Sequence, residues 1–301
     1  MKEKAIDLIL VQQQEWATDK TLVSGKIIDG EECEDKNYLE TIEDNIFPVD
    51  NTKGLTPKNI KAYNKGGGSE TKTITHRPKM SALHSSSALV VNLFQYWQGK
   101  DVSPLLKALN MIRHNDKIIN AKIEFEDKFK IDENTKKFPK PANLDITIKF
   151  EENQIIAIES KFTEPYGSVN NKISKSYTED SLWNKHLELE KLKTLAKEIY
   201  NKNRNFQYLD AAQLIKHILG LKNSKYKENF TLLYLWYDVP NTKEAKEHQE
   251  EIEAFASIAK ADGINFHHIT YQKVIDNLNK LCPEECHQDY RKYLNQRYNQ
   301  Q

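Results

Sequence analysis

Asp145 stands fourteen residues ahead of Glu159, and Glu159-Ser160-Lys161 puts an ammonium two positions after the second carboxylate. The stretch between them reads as a β-hairpin. Leu144, Ile146, Ile148 and Phe150 alternate with polar residues, and Ile156 and Ile158 lead on to Phe162. Joining the strands through Glu151-Glu152-Asn153, with Asn153 in the left-handed conformation such loops use, sets Phe150 facing Gln154, Ile148 facing Ile156 and Ile146 facing Ile158. The same register brings Asp145 opposite Glu159, with Lys161 on that side because alternate residues of a strand share a face.

Two carboxylates and an ammonium gathered this way have a use in phosphodiester hydrolysis. The carboxylates suit Mg²⁺, a hard cation that takes oxygen ligands and keeps several waters, and Mn²⁺ is expected to substitute. The cation polarises the phosphate and acidifies a bound water, and its charge relieves the repulsion between Asp145 and Glu159. Lys161 would orient that water or offset charge building on the phosphate. A neighbouring strand, Ile123-Glu124-Phe125-Glu126, offers another acid, and Glu126 is preferred because it follows the apolar Phe125 directly. Spacing alone also fits ordinary charge pairing across a solvated sheet face. Ile155 and Ala157 share the face of Glu159, however, so that face is expected to be covered, and covered charges need a reason.

The elements that must position this hairpin follow from periodicity. Leu83, Ser87, Val90, Phe94 and Trp97 predict a helix from Ser81 to near Gly99, and a short helix is expected over 103–113. After the hairpin, helices are expected over 182–201 and 210–220, the second ending at Gly220. A buried strand follows at 230–237, then a helix at 242–260, a strand at 264–269 and carboxy-terminal helices. This order gives an α/β fold with a mixed central sheet flanked by helices.

Composition bounds the possibilities. In 301 residues, 44 Lys+Arg balance 44 Asp+Glu, so any nucleic-acid binding is local rather than that of a polycation. With 38% hydrophobic and 10% aromatic residues the chain is expected to fold. The amino terminus fits neither a signal peptide nor a membrane span, no apolar run is long enough to cross a bilayer, and a cytoplasmic location is expected. Residues 31–50 carry eight acidic side chains against Lys36, whereas 51–80 carry seven basic ones against Glu70, around a Gly66-Gly67-Gly68-Ser69 loop that is either a strap over a polyanion or a solvated turn. Cys282, Cys286 and His287 cluster, but their spacing fits no standard zinc pattern and reads as helix-end residues.

With Asp145 and Glu159-Ser160-Lys161 across a hairpin, the chain resembles the PD-(D/E)xK nuclease superfamily. The order His84-Ser85-Ser86-Ser87-Ala88, Asn92-Leu93-Phe94, Glu126, Asn143-Leu144-Asp145 and Glu159 to Glu164 is similar to a bacterial group of restriction-endonuclease-like proteins, over about residues 80–236. Asn143-Leu144 stands where the motif name has proline. The resemblance implies a restriction-endonuclease-like core over 80–301, an extension over 1–79, and a Mg²⁺-dependent DNA endonuclease with a restriction or defence role. Asp145 and Glu159 would hold metal, Glu126 would assist and Lys161 would position water. It also points to Gln213 and Lys216, one helical turn apart, as substrate-binding residues. DNA is then the expected partner, and a homodimer the simplest way to cut both strands. The rival reading keeps the fold as a nucleic-acid-binding module without turnover.

Overall fold

The computed structural model describes residues 4–28, 31–32, 37–65, 70–72, 77–113, 115–116, 120–167, 169, 171–282 and 285–299. The Gly66–Ser69 loop lies outside them.

Helix α1 (Ala5–Trp16) opens the chain. Two short ribbons follow, pairing β1 (Leu22–Val23) with β4 (Tyr38–Leu39) and β2 (Ile27–Ile28) with β3 (Glu31–Glu32). Then come α2 (Pro57–Lys65), α3 (Ser86–Phe94) and α4 (Ser103–Ala108). The central sheet has five strands in sequential order: β5 (Ala121–Phe129), β6 (Ala142–Phe150), β7 (Ile155–Lys161), β8 (Phe230–Trp236) and β9 (Phe266–Thr270). The first three run antiparallel, and β7, β8 and β9 are parallel. Parallel neighbours need crossovers. These are α5 (Asp180–Trp183), α6 (Glu190–Tyr200) and α7 (Ala211–Lys222) between β7 and β8, and α8 (Lys243–Ala261) between β8 and β9. Helices α9 (Tyr271–Leu281) and α10 (Gln288–Tyr298) complete the chain. The mixed sheet flanked by helices is therefore the architecture read from the sequence.

Two cores sandwich the sheet. Ile146, Ile148, Ile156 and Ile158 face a cluster that includes α3, α4, α9 and α10, whereas Ile155, Ala157, Leu232 and Tyr234 face α6, α7 and α8. Ala5, Ile9, Ile46, Leu55 and Tyr63, from ahead of residue 80, belong to the first cluster. The hairpin register is the expected one, with Ile146 paired to Ile158 and Ile148 to Ile156. Its loop puts Asn153 at φ 56° and Glu152 at φ 61°, and the Phe150 N–H donates to the Gln154 carbonyl at 3.0 Å.

Four helix boundaries differ from the periodicity. The helix expected over 103–113 ends at Ala108, and Asn110 just beyond it is left-handed at φ 59°. Ser85 caps α3 by accepting the Ala88 N–H at 3.1 Å, so the helix starts at Ser86 rather than Ser81. The expected helix over 182–201 is two, with α5 ending at Trp183 and α6 starting at Glu190 after Leu189, which is fully buried outside the helical region (φ −97°, ψ 42°). Gly220 does not end α7, which runs to Lys222. Instead, a Cβ at Gly220 would lie 2.9 Å from Ala142 Cβ and 3.1 Å from both the Cβ and the carbonyl oxygen of Phe129. Glycine here lets α7 approach β5 and β6. Gly220→Ala is expected to destabilise the protein by about 1–3 kcal/mol through overpacking, against the roughly 1 kcal/mol of helix propensity it gains. A urea midpoint equal to or above that of the wild type would show that the helix has room.

Candidate active site

Asp145, Glu159 and Lys161 line one pocket of about 340 Å³, together with Glu126, Asn143 and Gln213. Each arrives by a different local device. The last β6–β7 pair is Ile146 with Ile158. Beyond it, the Asp145 carboxylate takes the place of a ladder partner and accepts the Ser160 N–H at 2.8 Å. Glu126 sits in the left-handed region at φ 55°, inside a strand. Such a residue costs about 1–3 kcal/mol and persists only where its surroundings enforce it. Its effect is visible in the packing: Ile123 and Phe125 belong to the first core but Phe129 to the second, although strict alternation would place all three together. β6 makes the same change of face between Ile146 and Leu144. The two strands therefore turn together where Glu126 and Asp145 enter the pocket. Glu124 stays outside, in ion pairs with Lys122 and Lys149 at 2.5 Å each.

Helix α7 supplies the back wall. Asp210 caps it, accepting the Gln213 N–H at 2.8 Å. Lys161 Nζ donates to Glu159 Oε1 at 2.6 Å and to Gln213 Oε1 at 3.0 Å. One turn on, His217 Nε2 lies 2.8 Å from Glu159 Oε2. Glu159 is 1% exposed, so both its oxygens are held in a nearly dry site. Gln213 thus faces Lys161, while Lys216 lies along an adjoining cleft rather than in this pocket.

Helix α3 closes the opposite side through its first turn. Ser86 Oγ donates to Glu164 Oε2 at 3.1 Å, and Ser87 Oγ donates to Glu70 Oε2 at 3.0 Å. A helix amino terminus favours carboxylates at this position. Glu164 is further fixed by the Phe162 N–H at 2.9 Å. Sequence reasoning assigned no role to Glu70 or Glu164, which come from segments remote from or beyond the hairpin.

The charges are unequal. Burial pushes Glu159 up, but Lys161 and His217 outweigh it and hold the carboxyl at about 2. Lys161 loses affinity for its proton through burial and regains more from Glu159, Glu164 and Asp145, so it stays charged. Asp145 is driven well above the usual carboxylate range by burial and by Glu159, with only partial relief from Lys161 and the Ser160 N–H. Glu126 is raised by burial and by Glu70 and Glu159, against the Asn143 amide that donates to it at 2.6 Å. The pocket is short of positive charge.

A chain-length family model described as restriction endonuclease associating with ARP matches residues 11–299. The chain belongs to that family. No curated protein and no solved structure matches it. Among the described residues of this restriction-endonuclease family member, no helix is long and apolar enough to cross a membrane.

The family raises the question of a metal, which the donor set answers in part. Among the described residues, no three His, Cys, Asp or Glu side chains form a group that could hold a metal ion alone. That includes Cys282, which is buried, and His287, whose Nδ1 lies 2.8 Å from the Tyr96 hydroxyl. Mg²⁺ requires less, because one or two carboxylates suffice when water and a substrate phosphate complete its shell. Asp145 and Glu159 are hard oxygen donors in a pocket whose excess negative charge a cation would relieve. The residues fit such an ion.

Proposed function

We propose that this chain is a PD-(D/E)xK endonuclease that hydrolyses DNA phosphodiester bonds with Mg²⁺, in a restriction or defence role. The observation that carries the proposal is the meeting of Asp145, Glu159 and Lys161 in one pocket, with Lys161 charged and fixed by Glu159 and Gln213. A Mg²⁺ ion held by Asp145 and Glu159 would polarise the scissile phosphate and acidify a bound water. Lys161 orients the attacking water and offsets charge on the phosphate in the transition state. Gln213 and His217 hold Lys161 and Glu159 in place, and Glu126 supplies a further acceptor at the pocket wall. Cleavage leaves 5′-phosphate and 3′-hydroxyl ends. One active site per chain makes a homodimer the simplest route to double-strand cuts. The family description adds association with ARP as part of the same proposal.

The test is incubation of wild-type and Lys161→Ala protein with supercoiled and linear DNA in Mg²⁺, Mn²⁺ or EDTA. Metal-dependent fragments from wild type alone are expected, discrete for a sequence-specific enzyme and smeared for a non-specific one. Equal cutting by Lys161→Ala would remove Lys161 from the chemistry. Intact DNA throughout, with DNA still bound, would favour a binding module on the same fold.

A further inference from the structure

The catalytic pocket has the wrong charge to attract a polyanion. Among the described residues, Glu70, Glu126, Asp145, Glu159 and Glu164 line it against the single Lys161. Beside it, sharing Asn143 and Gln213, lies a second cleft of about 690 Å³ with the opposite character. Lys137, Lys140, Lys172 and Lys216 line this cleft, and Asp210 is its one lining carboxylate among the described residues. Asp210 caps α7, and this one carboxylate faces four lysines. Lys137 pairs with Glu179. Lys140, Lys172 and Lys216 form no salt bridge among the described residues.

The walls are built to hold their shape. Lys140 stands between Pro139 and Pro141, which restrict the backbone on both sides. Phe138 and Tyr177, both buried, meet edge to face at 5.1 Å and tie the two sides of the cleft together. Lys216 Nζ lies 5.7 Å from the Tyr177 ring centroid. Unpaired lysines on fixed walls, opening directly into a hydrolytic pocket, match the repeating charge of a nucleic-acid backbone.

We propose that this cleft binds the sugar-phosphate backbone on one side of the scissile bond, with Lys140, Lys172 and Lys216 each neutralising a phosphate. The inference rests on the nuclease reading of the adjoining pocket. It divides the labour: the lysine cleft supplies attraction and register, and the acidic pocket supplies chemistry. Phosphate contacts of this kind act on every sequence alike.

The experiment measures the Kd of a fluorescent DNA duplex across a salt series in EDTA, where no cutting occurs, with cleavage in Mg²⁺ assayed separately. Wild type is compared with the triple variant Lys140→Ala/Lys172→Ala/Lys216→Ala and with Lys260→Ala/Lys280→Ala/Lys292→Ala on α8, α9 and α10. The cleft variant is expected to bind more weakly and to lose about 2–3 from the slope of log Kd against log salt, while the distant variant keeps the wild-type slope. If the triple variant does not fold, each single substitution should lower the slope by about one. Equal slopes for the cleft and distant variants would overturn the proposal, even if wild type cleaves DNA. A reduced slope in a protein that never cleaves would uphold the cleft and overturn the catalytic reading. Wild type that neither binds nor cleaves would overturn both.

Discussion

Glu159→Ala is expected to abolish metal-dependent cleavage and to destabilise the fold, whereas Asp145→Asn abolishes cleavage and stabilises the metal-free protein. The opposite signs follow from the two environments. Glu159 accepts from Lys161 and lies against His217, so its removal leaves a partly buried ammonium with only Gln213 and a buried imidazole without its carboxylate. Breaking a buried pair from one side costs about 3–5 kcal/mol. Burial and Glu159 both disfavour the ionised form of Asp145, so an amide whose oxygen still accepts the Ser160 N–H removes that cost without losing the hydrogen bond. Cleavage should fall on the order of 10³-fold or more in both variants if, as proposed, each loses a carboxylate that would hold the Mg²⁺ ion.

The pH dependence separates the two carboxyls further. Glu159 is depressed to about 2 from 4.5, so its contribution to stability is complete above the unfolded value and disappears as pH falls through 2. Asp145 is shifted upward from 3.8, so the folded state binds its proton more tightly than the unfolded chain. Its ionisation therefore erodes stability as pH rises above 3.8, and Asp145→Asn should gain most over wild type at the high end. Thermal melts of both variants across pH, without metal, give the readout. A lower melting temperature for Asp145→Asn at neutral pH would show that the carboxylate is not repelled, and the charge-deficit reading of the pocket would fail.

The legible parts of this site are those governed by strand periodicity. The register placing Asp145 and Glu159 together follows from Ile146, Ile148, Ile156 and Ile158 sharing a face, and a slip by one residue would turn them all to the opposite face. The change of face at Glu126 left little trace, because Ile123, Phe125 and Phe129 have the same parity and read as one continuous stripe. The polar Asp127 inside that stripe was the single clue, and it bonds Thr147 and Lys149 rather than the first core. Gly220 reads as a helix stop because a stop and a close helix–sheet contact both call for glycine, and only the packing of Ala142 and Phe129 distinguishes them. Glu70 and Glu164 reach the pocket through Ser87 and Ser86, contacts between segments that no local pattern encodes. His217 was visible beside Gln213 and Lys216, but only the position of α7 against β7 separates the residue touching Glu159 from the one along the cleft.

Arg297→Ala is expected to destabilise the protein by about 3 kcal/mol or more, from the loss of several buried hydrogen bonds and a ring contact, lowering the melting temperature by about 6 °C or more. Arg297 is fully buried on α10, and among the described residues no carboxylate pairs with it. Oxygens and rings compensate its charge instead. Nε donates to Gln13 Oε1 at 3.0 Å, Nη1 to the Asn45 carbonyl at 2.8 Å, and Nη2 to Asn45 Oδ1 at 2.5 Å, while the guanidinium lies 3.9 Å from the Trp16 ring centroid. Gln13 and Trp16 are on α1, and Asn45 in turn donates to the carbonyls of Met80 and Ala82 at 2.7 and 2.8 Å, just ahead of the turn that launches α3. One side chain therefore ties the first helix and the last to the segment that points Ser86 and Ser87 at the pocket. Arg297→Lys should recover little, because a point charge cannot reproduce the planar fork that reaches Gln13 and Asn45 together. Urea unfolding of both variants measures the effect. Full rescue by lysine would mean that the positive charge, rather than the fork, holds the termini against the core.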